Sequence, residues 1–115
     1  MKKIEAIIRP EKMSEVQDAL AIANVHGMTI SQVHGCGTQH GLKEYYRGSE
    51  ILVTMHAKVK IEVVVSDEGC QDVVDVICDA AYTGEHGDGK IFIFPVEDVV
   101  RVRTRARGME ALHME

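Results

Sequence analysis

The stretch Lys60-Ile61-Glu62-Val63-Val64-Val65 decides the fold, because it repeats Lys3-Ile4-Glu5-Ala6-Ile7-Ile8 nearly residue for residue. Each copy has strand composition, and each is followed by a segment of helical periodicity. After the first, Arg9-Pro10 ends the strand, and Glu11 to Ala23 carries Met13, Val16, Leu20 and Ala23 at three- and four-residue spacing. After the second, Ser66 stands as an N-cap, and Glu68 to Tyr82 carries Val73, Val74, Ile77, Cys78 and Ala81 on one stripe. Gly27 and Gly84 follow the two helices at the same offset of 57 residues that separates the strands, and Asn24 adds a second C-cap residue type to the first. Met28 to Cys36 and Ile91 to Val96 supply a closing strand for each half. Two βαβ units in tandem predict an α+β chain, a ferredoxin-like βαββαβ sandwich.

That topology covers one face of its sheet with helices. Ile61, Val63 and Val65 alternate with Val64, and Phe92 and Phe94 alternate with Ile91 and Ile93, which places apolar residues on both faces. With little chain left to cover the second face, a homo-oligomer with its sheets turned inward is expected. The 115 residues suit a single domain, 1–115, with a modest core. No apolar run approaches the roughly 20 residues of a membrane span. Charge in Met1-Lys2-Lys3-Ile4-Glu5 comes too early for a secretory segment, so a cytoplasmic protein is expected. Cys36, Cys70 and Cys78 are odd in number and lack metal-type spacing, which reads as reduced thiols. A net charge of −5 argues against a general nucleic-acid binder.

Thr83-Gly-Glu-His-Gly-Asp-Gly-Lys90 is the most distinctive local feature. Gly84, Gly87 and Gly89 point to positive φ or to close approach of a guest, and Lys90 makes that guest an anion. Gly84 to Lys90 matches G-x-x-x-x-G-K literally, but Ile91 replaces the metal-binding hydroxyl, and the turn joins helix to strand, the reverse of a P-loop. A phosphate-binding turn and a plain connector both remain open on these residues. Val99 to Arg107 alternates strictly, predicting an edge strand or hairpin that presents Arg101, Arg103, Arg105 and Arg107 on one side. A polyphosphate guest would explain that stripe, and a solvated edge that blocks aggregation is the alternative. The segment from Gly37 to Ala57 has no clean period, and its tip, Lys43 to Glu50, suits an exposed arm for a partner or a spacer.

These residues resemble the PII nitrogen-regulatory signal-transduction proteins over essentially the whole chain. The match lies in Ile7-Ile8-Arg9-Pro10, Gly27-Met28-Thr29, Tyr46-Arg47-Gly48-Ser49-Glu50, Lys58-Val59-Lys60-Ile61-Glu62, Thr83-Gly84, Gly87-Asp88-Gly89-Lys90-Ile91-Phe92 and Arg101-Val102-Arg103-Thr104, in order and without a gap. The resemblance implies a homotrimer with a long T-loop at about 37–55, a phosphate-binding turn at 83–90 and a C-terminal strand region at 99–107. It implies ATP or ADP between subunits. Gly87, Asp88, Gly89 and Lys90 would line the phosphates with Arg101 and Arg103 of the neighbour; Gly35, Gly37 and Gln39 would approach from the loop base, and Ile7, Thr29 and Val64 would surround adenine and ribose. With Mg-ATP bound, 2-oxoglutarate would join it: Gln39 would hold the magnesium, Lys58 the far carboxylate, and the backbone near His40 and Gly41 the other end. The T-loop would then present a shape to a target such as an ammonium transporter, glutamine synthetase or another nitrogen-metabolism protein, with membrane contact only through a transporter and no direct nucleic acid.

The chain departs from that pattern at several positions. Ile51 occupies the place of the uridylylated tyrosine, which excludes that modification there; Ser49 matches a serine phosphorylated in cyanobacterial relatives. Thr38 and Glu85 replace basic residues, while Arg105 and Arg107 add cations. A regulator, not an enzyme, is the expectation, since no nucleophile–base arrangement is evident. A nucleotide-hydrolysing or phosphoryl-transfer enzyme is the alternative. An RNA-binding sheet would need more surface aromatics than Phe92 and Phe94.

Overall fold

A computed structural model describes residues 1–38 and 53–112. Strand β1 (Lys2–Ile8) leads through a 3-10 turn at Pro10–Lys12 into α1 (Met13–Ile22). Then come β2 (Thr29–Thr38), β3 (Val53–Val65), α2 (Cys70–Ala81), β4 (Gly89–Pro95) and a short α3 (Met109–Leu112). The sheet order is β2-β3-β1-β4, and every neighbouring pair is antiparallel. Each helix therefore carries the chain two places along the sheet, past one intervening strand. This is the α+β, ferredoxin-like arrangement that the repeat predicts.

Period-two burial builds the core. Ile4, Ala6 and Ile8 of β1 and Val59, Ile61, Val63 and Val65 of β3 turn to one face, where Val16 and Leu20 of α1 and Val73, Ile77 and Ala81 of α2 meet them. Ala23 and Cys78, expected on the helical stripes, are exposed instead. The two helices pack side by side over this face. Ile4, Val16, Leu20 and Ile61 lose all contact with solvent, each worth roughly 1.5–3 kcal/mol of apolar transfer.

Local signals set the boundaries. The first helix ends in a Schellman motif: Asn24 takes φ 64°, its N–H donates to the Ala21 carbonyl at 3.0 Å, and the Val25 N–H reaches back to Leu20 at 2.9 Å. Asn24 thus supplies the left-handed residue. Gly27 has no positive φ, whereas its sequence counterpart Gly84 has φ 90°, so the two glycines do different work. The Ser66 hydroxyl accepts the Gly69 N–H at 3.0 Å and caps the turn that opens α2.

The open face differs from the expectation of two apolar faces. Only Val64 is apolar among the residues that β3 turns there between positions 58 and 64; Lys58, Lys60 and Glu62 are the others. Lys3 pairs with Glu62 at 3.4 Å, and Lys60 reaches Glu5 at 3.7 Å and Glu62 at 3.8 Å. Apolar character collects on the β4 edge, where Phe92 and Phe94 are 46% and 41% exposed and the Lys3 ammonium lies 4.8 Å above the Phe94 ring. Cross-strand charge pairing explains the pattern, since Glu5 sits directly opposite Glu62 and a lysine neighbour relieves the two carboxylates.

Candidate functional site

The turn after α2 is organised from within by Asp88. Its Oδ2 accepts the N–H groups of Thr83 at 2.8 Å and Gly84 at 2.9 Å. Its Oδ1 accepts the Thr83 hydroxyl and the Arg9 Nε–H, the latter at 3.1 Å. Thr83 is itself bridged, because its Oγ1 accepts the Glu85 N–H at 3.1 Å. The Thr83 hydroxyl and backbone N–H, then the Gly84 N–H and Arg9, hold the Asp88 carboxyl well below the usual carboxylate range, against a smaller opposing effect of desolvation.

Two cations fasten this turn to the sheet. Arg9, at the end of β1, donates from Nη2 to the His86 carbonyl at 2.8 Å, and Lys58, on β3, donates from Nζ to the Gly87 carbonyl. The turn can take this course because Gly87 and Gly89 adopt φ 102° and 113°. A Cβ on Gly87 would stand 3.2 Å from Arg9 Nη2 and 3.7 Å from Lys58 Nζ.

The expected site residues fall into two groups at opposite ends of the open face. At one end, Ile7 lies opposite Lys90 across the sheet, Lys58 touches Gly87, and a Cβ on Gly35 would be 3.4 Å from Lys58 Cγ. Asp88 and Gly89 complete that end, and the Gly37 backbone pairs with Thr54 just beyond it. At the other end, Thr29, Val64 and Arg101 line a cleft of about 790 Å³, with Gly27 and Met28. Thr29 is opposite Glu62, four residues of β3 away from Lys58, or about 13 Å along the strand. Gln39, His40, Gly41 and Ser49 lie outside the described residues, as does most of the segment at about 37–55.

Of the edge strand or hairpin expected for the C-terminal segment, residues 99–107 form a short hairpin and not a continuous strand: an isolated antiparallel bridge joins Val100 to Arg107, and a tight turn lies between them. Arg105 takes φ 64°, its N–H donates to the Arg101 carbonyl at 2.8 Å, and the Arg101 N–H donates to Ala106 at 2.9 Å. The four arginines therefore do not share one side. Arg101 donates from Nη2 to the Ala111 carbonyl at 2.8 Å, anchoring α3, while Arg107 pairs with Asp98 at 2.7 Å. That pair, with the N–H groups of Val99 and Gly108, keeps the Asp98 carboxyl below its usual range. Alternation misled here because the valines find no core to bury into; Val102 is 95% exposed at the tip.

Sequence reasoning gave no role to Arg9 or Thr83, although both hold the turn. Thr83-Gly84 stand four to five residues before Asp88, a spacing that carries no standard turn signal, so both roles emerge only from the fold. Among the described residues, no group of three His, Cys, Asp or Glu side chains is placed to hold a metal ion. No helix among them is long and apolar enough to cross a membrane.

The sheet of two βαβ units carries the glycine turn at one end and a cleft lined by Arg101 at the other. The chain belongs to the Nitrogen regulatory protein P-II family, whose model matches residues 1–106. It is 58% identical over 113 residues to the nitrogen regulatory protein P-II of Synechocystis sp., covering 97% of this chain and all of the relative. It is 51% identical over 112 residues to nitrogen regulatory protein P-II 2 of Methanothermobacter thermautotrophicus, covering 97% of each chain. The nitrogen regulatory protein GlnK2 of Haloferax mediterranei is 48% identical, with 97% of this chain and 91% of the relative covered. Family membership supports a role in nitrogen-regulatory signalling, and these relatives are named as regulators, not enzymes.

Proposed function

We propose that this protein is a trimeric signalling regulator that senses ATP or ADP, and 2-oxoglutarate with Mg-ATP, and passes the result to a nitrogen-metabolism target through residues at about 37–55. The observation that carries the reading is the separation of the two residue groups on the open face. Lys58, Gly87 and Lys90 are at one end, and Thr29, Val64 and Arg101 at the other. Two copies, each offering a different end, would close both groups on one nucleotide at their shared boundary. The cation-rich turn would take the phosphates, and the neighbour's cleft the adenine and ribose with Arg101 and Arg103 beside the phosphates. A bound magnesium ion would neutralise phosphate charge. The described residues supply no metal cluster, so Gln39 and the ligands themselves would have to hold it. Lys58, released from the Gly87 carbonyl, would be the cation for the far carboxylate of 2-oxoglutarate. Ammonium transporters and glutamine synthetase are the target classes proposed, with the cytoplasm as the compartment.

Mixed assemblies test the shared site. Lys90→Ala and Arg103→Ala each remove a cation from one half. Each variant alone should lose nucleotide binding, measured calorimetrically. Co-refolded in equal amounts, they should regain about one site in four, since intact interfaces pair a turn from one variant with an arginine from the other. No recovery would overturn the interchain site. Failure of 2-oxoglutarate to bind in the presence of Mg-ATP would remove the carbon-sensing half of the reading.

A further inference from the structure

We infer that Asp88 and Thr83 are positioning residues of the nucleotide turn, which shape it from within before any ligand arrives, and that Asp88 does not itself face the phosphates. The inference rests on the proposed nucleotide site and reassigns one of its members. Both carboxylate oxygens of Asp88 are engaged: Oδ2 by two backbone N–H groups, and Oδ1 by the Thr83 hydroxyl and the Arg9 guanidinium. A carboxylate turned toward a polyphosphate would repel it, and one serving a cation would have to leave these partners. Turned inward, the same charge fixes the first two residues of the turn. It also draws Arg9 across the turn, so that Arg9 meets the His86 carbonyl as well.

Thr83 completes the device because its hydroxyl donates to Asp88 while accepting from Glu85. Serine could reproduce both bonds; valine, of the same shape, could reproduce neither. A turn fixed in advance loses less conformational freedom when its ligand binds, so such residues raise affinity without touching the ligand. Their effect should be indifferent to the ligand's third phosphate and to magnesium, in contrast to a group that contacts either one.

The test uses the full chain with Asp88→Asn, Thr83→Val, Thr83→Ser and the double Asp88→Asn/Thr83→Val variant. Calorimetry gives affinities for ATP and ADP, each with magnesium and with EDTA. Asp88→Asn and Thr83→Val should weaken both nucleotides by the same factor, about tenfold, with and without magnesium. Thr83→Ser should bind as the parent does, and the double variant should be little worse than Asp88→Asn alone, because both lesions break one network. Tighter binding in Asp88→Asn, or a loss confined to ATP with magnesium, would place the carboxylate at the ligand and overturn the inference; so would parental affinity in Thr83→Val. If the parent binds no nucleotide, the proposed function fails and the positioning role is read from the ligand-free protein. Faster amide exchange at Thr83 and Gly84 in Asp88→Asn supports it, and unchanged exchange overturns it.

Discussion

Gly89 approaches the carbonyl of Ile7 so closely that a Cβ on the glycine would lie 1.8 Å from that oxygen. Nothing but hydrogen fits between the start of β4 and the end of β1 at this point, and the glycine's φ of 113° independently excludes an ordinary side chain. Gly89→Ala should therefore destabilise the protein by roughly 2–4 kcal/mol, through strain in the β1–β4 pairing. Gly27→Ala is the control, since a methyl group there would meet no atom within 4 Å and the φ of Gly27 is not positive. Urea midpoints for Gly27→Ala should differ little from the parent, within about 0.5 kcal/mol.

Acid should loosen the turn in a defined direction. The Asp88 carboxyl is held below its unfolded value, so its contribution to stability is fully present above about pH 4 and fades as pH falls further. Arg9 is the cation that contacts it directly, and Lys58 holds the adjacent carbonyl. Asp88→Asn should flatten the acid limb of a stability–pH profile measured by urea unfolding. An unchanged limb would show that the carboxylate is not coupled to folding.

Core and surface positions of similar chemistry should separate cleanly. Leu20→Ala removes a side chain with no solvent exposure and should cost roughly 2–5 kcal/mol. Ile22→Ala, two residues along the same helix and 84% exposed, should change stability by less than about 0.5 kcal/mol. Equal losses in the two variants would mean that α1 packs by another face.

The end of α1 offers a backbone test. Asn24 carries φ 64°, so Asn24→Gly should keep the Schellman closure or improve it slightly. Asn24→Val forces a β-branched residue into the left-handed region and should cost about 1–2 kcal/mol. Thermal midpoints of the two variants are the measurement.

The tandem strand–helix pattern carried the topology, because the paired stretches at Lys3 and Lys60 bury alternate residues against helices whose stripes occur at helical spacing. Composition left the glycine turn open between an anion site and a plain connector, and it did not give the direction of Asp88: a carboxylate beside glycines reads equally as ligand contact or internal brace, and its four partners place it inward. Likewise, Val100 and Val102 supply a strand-like alternation that tertiary context does not use. The separation of Thr29 from Lys58 also needed the strand register, which fixes how far apart two residues of one face stand.

The hairpin of β2 and β3 outruns the rest of the sheet. Pairing between β1 and β3 ends at Ile8–Val59, while β2 and β3 remain paired to Thr38–Val53. The six residues of β3 from Val53 to Lys58 thus form one side of a two-stranded boom about 20 Å long, with its base where Lys58 grips Gly87. A tilt of only about 10° at that base would sweep the far end through about 3–4 Å. Length alone would thus magnify any small rotation at the turn into a displacement of several ångströms at the far end.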